Sequence, residues 1–207
     1  MGPIAATLLC YFEPERVYAS LVILHDAYHL HTVFNPGFPG MLEAIYVQER
    51  IMESTMPAVY VAFKNHMIST TAYATKWYIT LFANSVPFQT QLRLWDAFLL
   101  EGYDVYVAVA VAIIWVYRGL CFSLFMLYHK SLNVFSPMID HITSNAANFE
   151  TVLSLLSSFF VPEDEDTFMS WIGNLLGDKK IRANMARWRR DWRAHIASGR
   201  RGEDVLL

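Results

Sequence analysis

Residues Tyr73–Gly102 read YATKWYITLFANSVPFQTQLRLWDAFLLEG, a pattern of two helices joined by a tight turn. Trp77 and Phe82 fall on the apolar side of a first helix expected over Tyr73–Asn84. Pro87 suits the opening turn of a second, where an N–H would go unused, and Ser85 is its expected cap. Phe88, Leu92, Trp95 and Leu99 recur at helical spacing and predict a packing stripe along Pro87–Leu100. Arg93 and Asp96 lie at i, i+3 on that helix, and Gly102 ends it.

The same period continues on both sides. In Pro14–Leu30, Val17, Leu21, Leu24 and Tyr28 share one stripe behind a proline suited to the first turn. The stretch His31–Gly40, HTVFNPGFPG, is predicted to be a loop because two prolines and two glycines interrupt it. Helices are expected again over Met41–Met52 and from Pro57 to about Met67. No segment alternates apolar and polar residues with a period of two between hairpin turns, so the expected fold class is all-α.

Val105–Tyr128 is the most hydrophobic stretch and raises the question of a membrane span. Arg118 divides it, and Val105–Tyr117 reaches only about 20 Å as a helix, against about 30 Å of bilayer core. An arginine at the centre also adds roughly 2.5–3.5 kcal/mol to insertion. A buried core helix is therefore preferred, with a small helical membrane protein using residues 105–128 as the alternative.

In the last third, the acidic run Glu163–Asp166 follows Pro162, where carboxylates favour a helix N-terminus. A final helix carries Ile181, Met185, Trp188, Trp192 and Ile196 on one stripe. Lys179, Lys180, Arg182, Arg187, Arg189, Arg190 and Arg193 surround that stripe. The expectation is a helix docked by its tryptophans with a solvated basic face. Peripheral contact with a membrane surface, or with an acidic partner, is the other reading.

Composition narrows the function classes. A hydrophobic content of 55% with 17% charged residues asks for a large core, and a net charge of −3 argues against nucleic acid as a partner. Two cysteines, Cys10 and Cys121, are too few for a disulfide scaffold and fit a reducing, cytoplasmic setting. The start MGPIAATLL has no basic region of a signal peptide, and Ala6 stands where myristoylation wants Ser or Thr. His25, Asp26, His29 and His31 do not form H-E-x-x-H, and Glu163–Asp166 lacks the spacing of an EF-hand loop, so no metal and no cofactor are expected. Gly-rich phosphate loops, nucleophile elbows and Cys–His pairings are not recognisable in the sequence.

The run Tyr73–Gly102 closely resembles the TBC family pattern K-W-[FY]-x-x-x-F, a short gap, a Leu-Pro-like pair, R-[IVL]-W-D and E-G. Lys76, Trp77, Phe82, Pro87, Arg93, Trp95, Asp96, Glu101 and Gly102 carry the match. MGPIAATLLCYFEPERVYASLVIL is similar to the family stretch that follows Y-x-Q-G-M, and FNPGFPGMLEAIYVQERIMESTMPAVY to its next loop and helices. The resemblance implies an all-α domain whose partner is a GTP-bound Rab-family small GTPase, in vesicle trafficking. It casts Lys76, Trp77, Pro87, Arg93, Trp95, Asp96, Glu101 and Gly102 as scaffold and GTPase-contact residues.

In that family an Arg finger from I-x-x-D-x-x-R and a Gln finger from Y-x-Q enter the GTPase site. An arginine supplied in this way is worth about 10³–10⁵ in rate. Neither motif is found here in its family setting: Met1 falls where the methionine of Y-x-Q-G-M belongs, and Gln48, Gln89 and Gln91 lie in the wrong context. The resemblance thus implies an N-terminally truncated domain with no catalytic residue and no activating capacity by itself. A catalytically dead GTPase-binding or scaffold module is the alternative. Residues 119–139, GLCFSLFMLYHKSLNVFSPMI, depart from the family and suggest a translated intron, with a genuine helix extension or a membrane-seeking insertion as the alternative. The expected organisation is a partial TBC domain over 1–118, that insert, C-terminal helices over 140–198 and a disordered tail over 199–207.

Overall fold

The computed structural model describes residues 1–131, 150–199 and 205–206, with only the helical backbone over 119–131. It is built of helices throughout, and no strand occurs among the described residues. In chain order these are α1 (Gly2–Leu9), α2 (Pro14–Asp26), α3 (His31–Phe34), α4 (Pro39–Thr55), α5 (Pro57–Asn65), α6 (Thr70–Thr80), α7 (Phe88–Glu101) and α8 (Asp104–Ser131). Residues 150–157 form α9, followed by α10 (Glu165–Gly177) and α11 (Lys179–Ala197).

Two helices form the centre. Every residue from Val105 to Ile114 in α8 is at most 1% exposed, so this segment is apolar on all sides because neighbours surround it. α4, α5, α6, α7 and α10 all pack on α8. α4 is the second axis: it touches α3, α5, α6, α8 and α11, and buries Met41, Ile45, Val47, Ile51 and Met52. Val105–Ile114 is a core segment, as expected, but α8 is not divided at Arg118: the helix runs through it to Ser131, and Val116 and Arg118 are exposed. Among the described residues no helix is long and apolar enough to cross a membrane.

Several boundaries differ from those read in the sequence, each for a local reason. His31–Gly40 is not a continuous loop: α3 occupies its first turn, and Pro39 opens α4. Gly40 lets these two helices close on each other, since a Cβ there would lie 2.9 Å from the Thr32 carbonyl carbon. α6 ends at Thr80 instead of Asn84 because Leu81, Phe82 and Asn84 all take left-handed backbone angles. Ser85 is not the cap of α7. Pro87 occupies that position, and the Ser85 carbonyl instead accepts a hydrogen bond from the Phe160 amide at 2.8 Å.

The packing stripe of α7 also differs. Leu94, Trp95 and Phe98 are buried together with Thr90 and Gln91, whereas Phe88 and Leu99 are exposed. Of the segment 119–139, the α8 backbone is described to Ser131 and residues 132–139 lie outside the described residues. Residues 140–149 lie outside them as well. Beyond α11, Val205 and Leu206 are half-buried against the core.

Candidate functional site

The motif residues lie on α6, α7 and the turn between them, and two of them, Arg93 and Glu101, reach α10 and α11. Trp77 is buried, edge-on to Tyr73 and stacked on Phe82 with ring centroids 5.7 Å apart. The indole N–H of Trp95 donates to the Leu81 carbonyl at 3.0 Å. That bond anchors the turn in which Leu81 and Phe82 hold left-handed conformations, at φ 51° and 61°. Pro87 caps α7, and its carbonyl accepts from the Gln91 amide at 2.8 Å. Gly102 ends α7 at φ 84°, a value that a side chain strains to reach. Lys76 and Asp96 are exposed, and neither makes an ion pair among the described residues.

Arg93 and Asp96 do not face each other. Arg93 reaches across to α10, where its Nη1 lies 2.7 Å from Asp166 and 3.2 Å from Glu165. Hydrogen bonds to Asp166 and then Glu165 hold the guanidinium proton more tightly than usual. Thr90 donates a hydrogen bond to the same Glu165 carboxylate. Glu101 pairs with Arg182 of α11. The acidic run therefore has two jobs. Asp164 caps α10 by accepting from the Asp166 amide at 3.0 Å and from the Thr167 hydroxyl, and these bonds lower its pKa. Glu165 and Asp166 bind the motif arginine.

α11 closes over α4 and the start of α8. Met185, Trp188 and Trp192 are buried, and Trp192 packs on Tyr46 with centroids 5.2 Å apart. Ile181 is half-buried, but Ile196 is exposed, so the stripe ends before the last turn. Its basic residues are not all solvated. Arg189 pairs with Asp104 and lies 3.4 Å from Glu43, and Arg193 grips Glu43 through Nε at 2.8 Å and Nη2 at 3.0 Å.

The three glutamines named above divide clearly. Gln48 is fully buried, accepting from Tyr78 at 2.8 Å and donating to Tyr73 at 3.2 Å. Gln91 is also buried and donates to Thr7 of α1 at 2.8 Å. Gln89 is exposed on the first turn of α7. Burial pushes the Tyr78 phenol well above its ordinary pKa, so it remains a neutral donor to Gln48. The histidines sit around the end of α2, with His25 2.6 Å from Asp26 and His31 2.9 Å from the His25 carbonyl. Sequence reasoning missed the Gln48 network and the Arg93 clamp. Their only signals were a glutamine amid the apolar residues of α4 and an acidic run longer than a cap requires.

Buried motif aromatics and motif charges paired within the chain define an all-helical domain in which most of these residues hold the fold together. Residues 1–122 match the Rab-GTPase-TBC domain family, and the chain belongs to that family. It is 38% identical over 112 residues to the GTPase-activating protein GYP5 of Saccharomyces cerevisiae, covering 54% of this chain and 12% of that one. It is 34% identical over 113 residues to the TBC1 domain family member whacked of Drosophila melanogaster, covering 55% and 31%. A longer match, 29% identical over 191 residues, joins it to the TBC domain-containing protein C1778.09 of Schizosaccharomyces pombe, covering 92% of this chain and 41% of the relative. The chain thus spans less than half the length of these relatives.

Proposed function

We propose that this chain is a GTPase-docking scaffold of Rab regulation in vesicle traffic, binding a GTP-loaded Rab-type GTPase in the cytoplasm without accelerating hydrolysis. The family membership supports the partner. The observation that carries the absence of acceleration is the placement of the finger-like side chains. Arg93 is clamped to Glu165 and Asp166, Gln48 and Gln91 are bonded inside the core, and Gln89, though exposed on α7, stands outside the Y-x-Q setting of the family's finger.

An exposed apolar surface supports the docking role. Tyr11 stacks on Phe88 with centroids 6.2 Å apart, and both are exposed beside α1 and α7. Leu99 and Leu100 lie exposed at the far end of α7, where Tyr28, just beyond α2, donates to the Leu99 carbonyl at 3.2 Å. A partner covering this side would bury large side chains that now face water. Among the motif residues, exposed Lys76 and Asp96 are the ones free to pair with it.

Phosphate release from a panel of GTP-loaded Rab proteins tests the reading. With the chain in excess, the rate stays at the intrinsic value while pull-down detects complex with at least one Rab. About tenfold stimulation, far below what a full arginine finger supplies, overturns it.

A further inference from the structure

The cations of α11 fall into two groups that the sequence does not separate. At about 100° per residue, Met185, Trp188 and Trp192 define the docked face. Arg182, Arg189 and Arg193 lie along one flank of that face, and each reaches a carboxylate of the body: Glu101, Asp104 or Glu43. Lys179, Lys180, Arg187 and Arg190 occupy the opposite arc, about 100° wide. All four are exposed, and none makes an ion pair among the described residues. Ala183, Ala194 and Ala197 are the other residues in this arc, and Asp191, the sole acid of the helix, sits at its edge.

We propose that this outer arc of α11 is a contact surface for anionic phospholipid headgroups. Four cations spread over about 16 Å of a straight helix, with only alanine methyls between them, present a shallow charged strip. Such a strip lies flat on a plane of headgroups and meets several phosphates at once. Charge complementarity also sets the orientation. The whole chain carries a net charge of −3, so the surface away from this arc is repelled by the same headgroups. The tryptophans are already buried in the core and cannot insert, which makes the contact electrostatic, reversible and salt-sensitive. It goes beyond GTPase docking and stands or falls separately from it.

Sedimentation of the 207-residue chain with vesicles tests the proposal. The chain should bind phosphatidylcholine vesicles holding about 30 mol% phosphatidylserine, bind pure phosphatidylcholine far less, and be released by about 0.3 M salt. The variant K179E/K180E/R187E/R190E should lose binding by at least about tenfold. Its tryptophan fluorescence and Rab pull-down should be unchanged, since these exposed side chains make no hydrogen bond or ion pair among the described residues. If the fourfold variant does not fold, K179E/K180E alone should still lose about fivefold. Equal binding to neutral vesicles, no binding to either, or full binding by a folded variant overturns the proposal. Capture on a poly-glutamate surface with the vesicles ignored overturns it in favour of an acidic protein partner. Loss of Rab binding with vesicle binding intact leaves it standing and sinks the docking reading instead.

Discussion

Tyr78 and Tyr106 are both fully buried, yet their hydroxyl groups are in opposite situations. The Tyr78 hydroxyl donates to Gln48 Oε1, while that of Tyr106 has no hydrogen-bond partner among the described residues. A buried hydroxyl without a partner has lost its water for nothing, whereas deleting one half of a buried pair strands the other half. Tyr78→Phe should therefore lower stability by about 1–3 kcal/mol, and Tyr106→Phe should be neutral or raise it by about 1 kcal/mol. Urea unfolding of the two variants measures this directly. A clear loss in Tyr106→Phe would mean that its hydroxyl is satisfied after all. Both phenols are pushed above their ordinary pKa by burial, so neither ionises while the fold holds near neutrality.

At the scale of elements, Arg93 joins α7 to the first turn of α10, and Asp96, one turn along the same helix, joins nothing described. Arg93→Ala should release Glu165 and Asp166 and speed amide exchange in Glu165–Phe168, while Asp96→Ala leaves those amides unchanged. The global loss for Arg93→Ala should stay near 1 kcal/mol, because the pair is partly exposed to water. Hydrogen exchange read by mass spectrometry separates the two variants, and equal effects would count against the clamp. Element type was legible in the sequence wherever the apolar period ran long, as in α4, α8 and α11. Element ends were not, because they depend on backbone angles such as those of Leu81 and Phe82, which contacts with Trp95 and Trp77 hold in place. The α7 stripe was misread for a related reason. Thr90 and Gln91 are buried by polar partners on α10 and α1, which spacing alone cannot reveal. The motif arginine was likewise visible as a residue, but its carboxylates lie more than seventy positions away.

Over the whole molecule, the core built on α4 and α8 is closed on one side and open on the other. α10 and α11 close it with Phe168, Ile172, Leu176, Met185, Trp188 and Trp192, while Tyr11, Phe88 and Leu100 face solvent on the α1–α7 side. The closing helices are held by both ion pairs and buried aromatics, and magnitudes decide which dominates. Truncating a buried tryptophan costs about 3–5 kcal/mol, an exposed ion pair about 0.2–1 kcal/mol, against a total stability of about 5–15 kcal/mol. Trp192→Ala removes the ring that packs on Tyr46 and should detach α11, exposing the apolar side of α4 and promoting association. Arg193→Ala removes only the bidentate grip on Glu43, and Arg189 remains beside that carboxylate. Its unfolding midpoint should shift little, and high salt should leave the wild-type chain folded and monodisperse. Urea titration with light scattering checks both variants together. If salt alone released α11, the ion pairs and not the tryptophans would be what holds the scaffold shut.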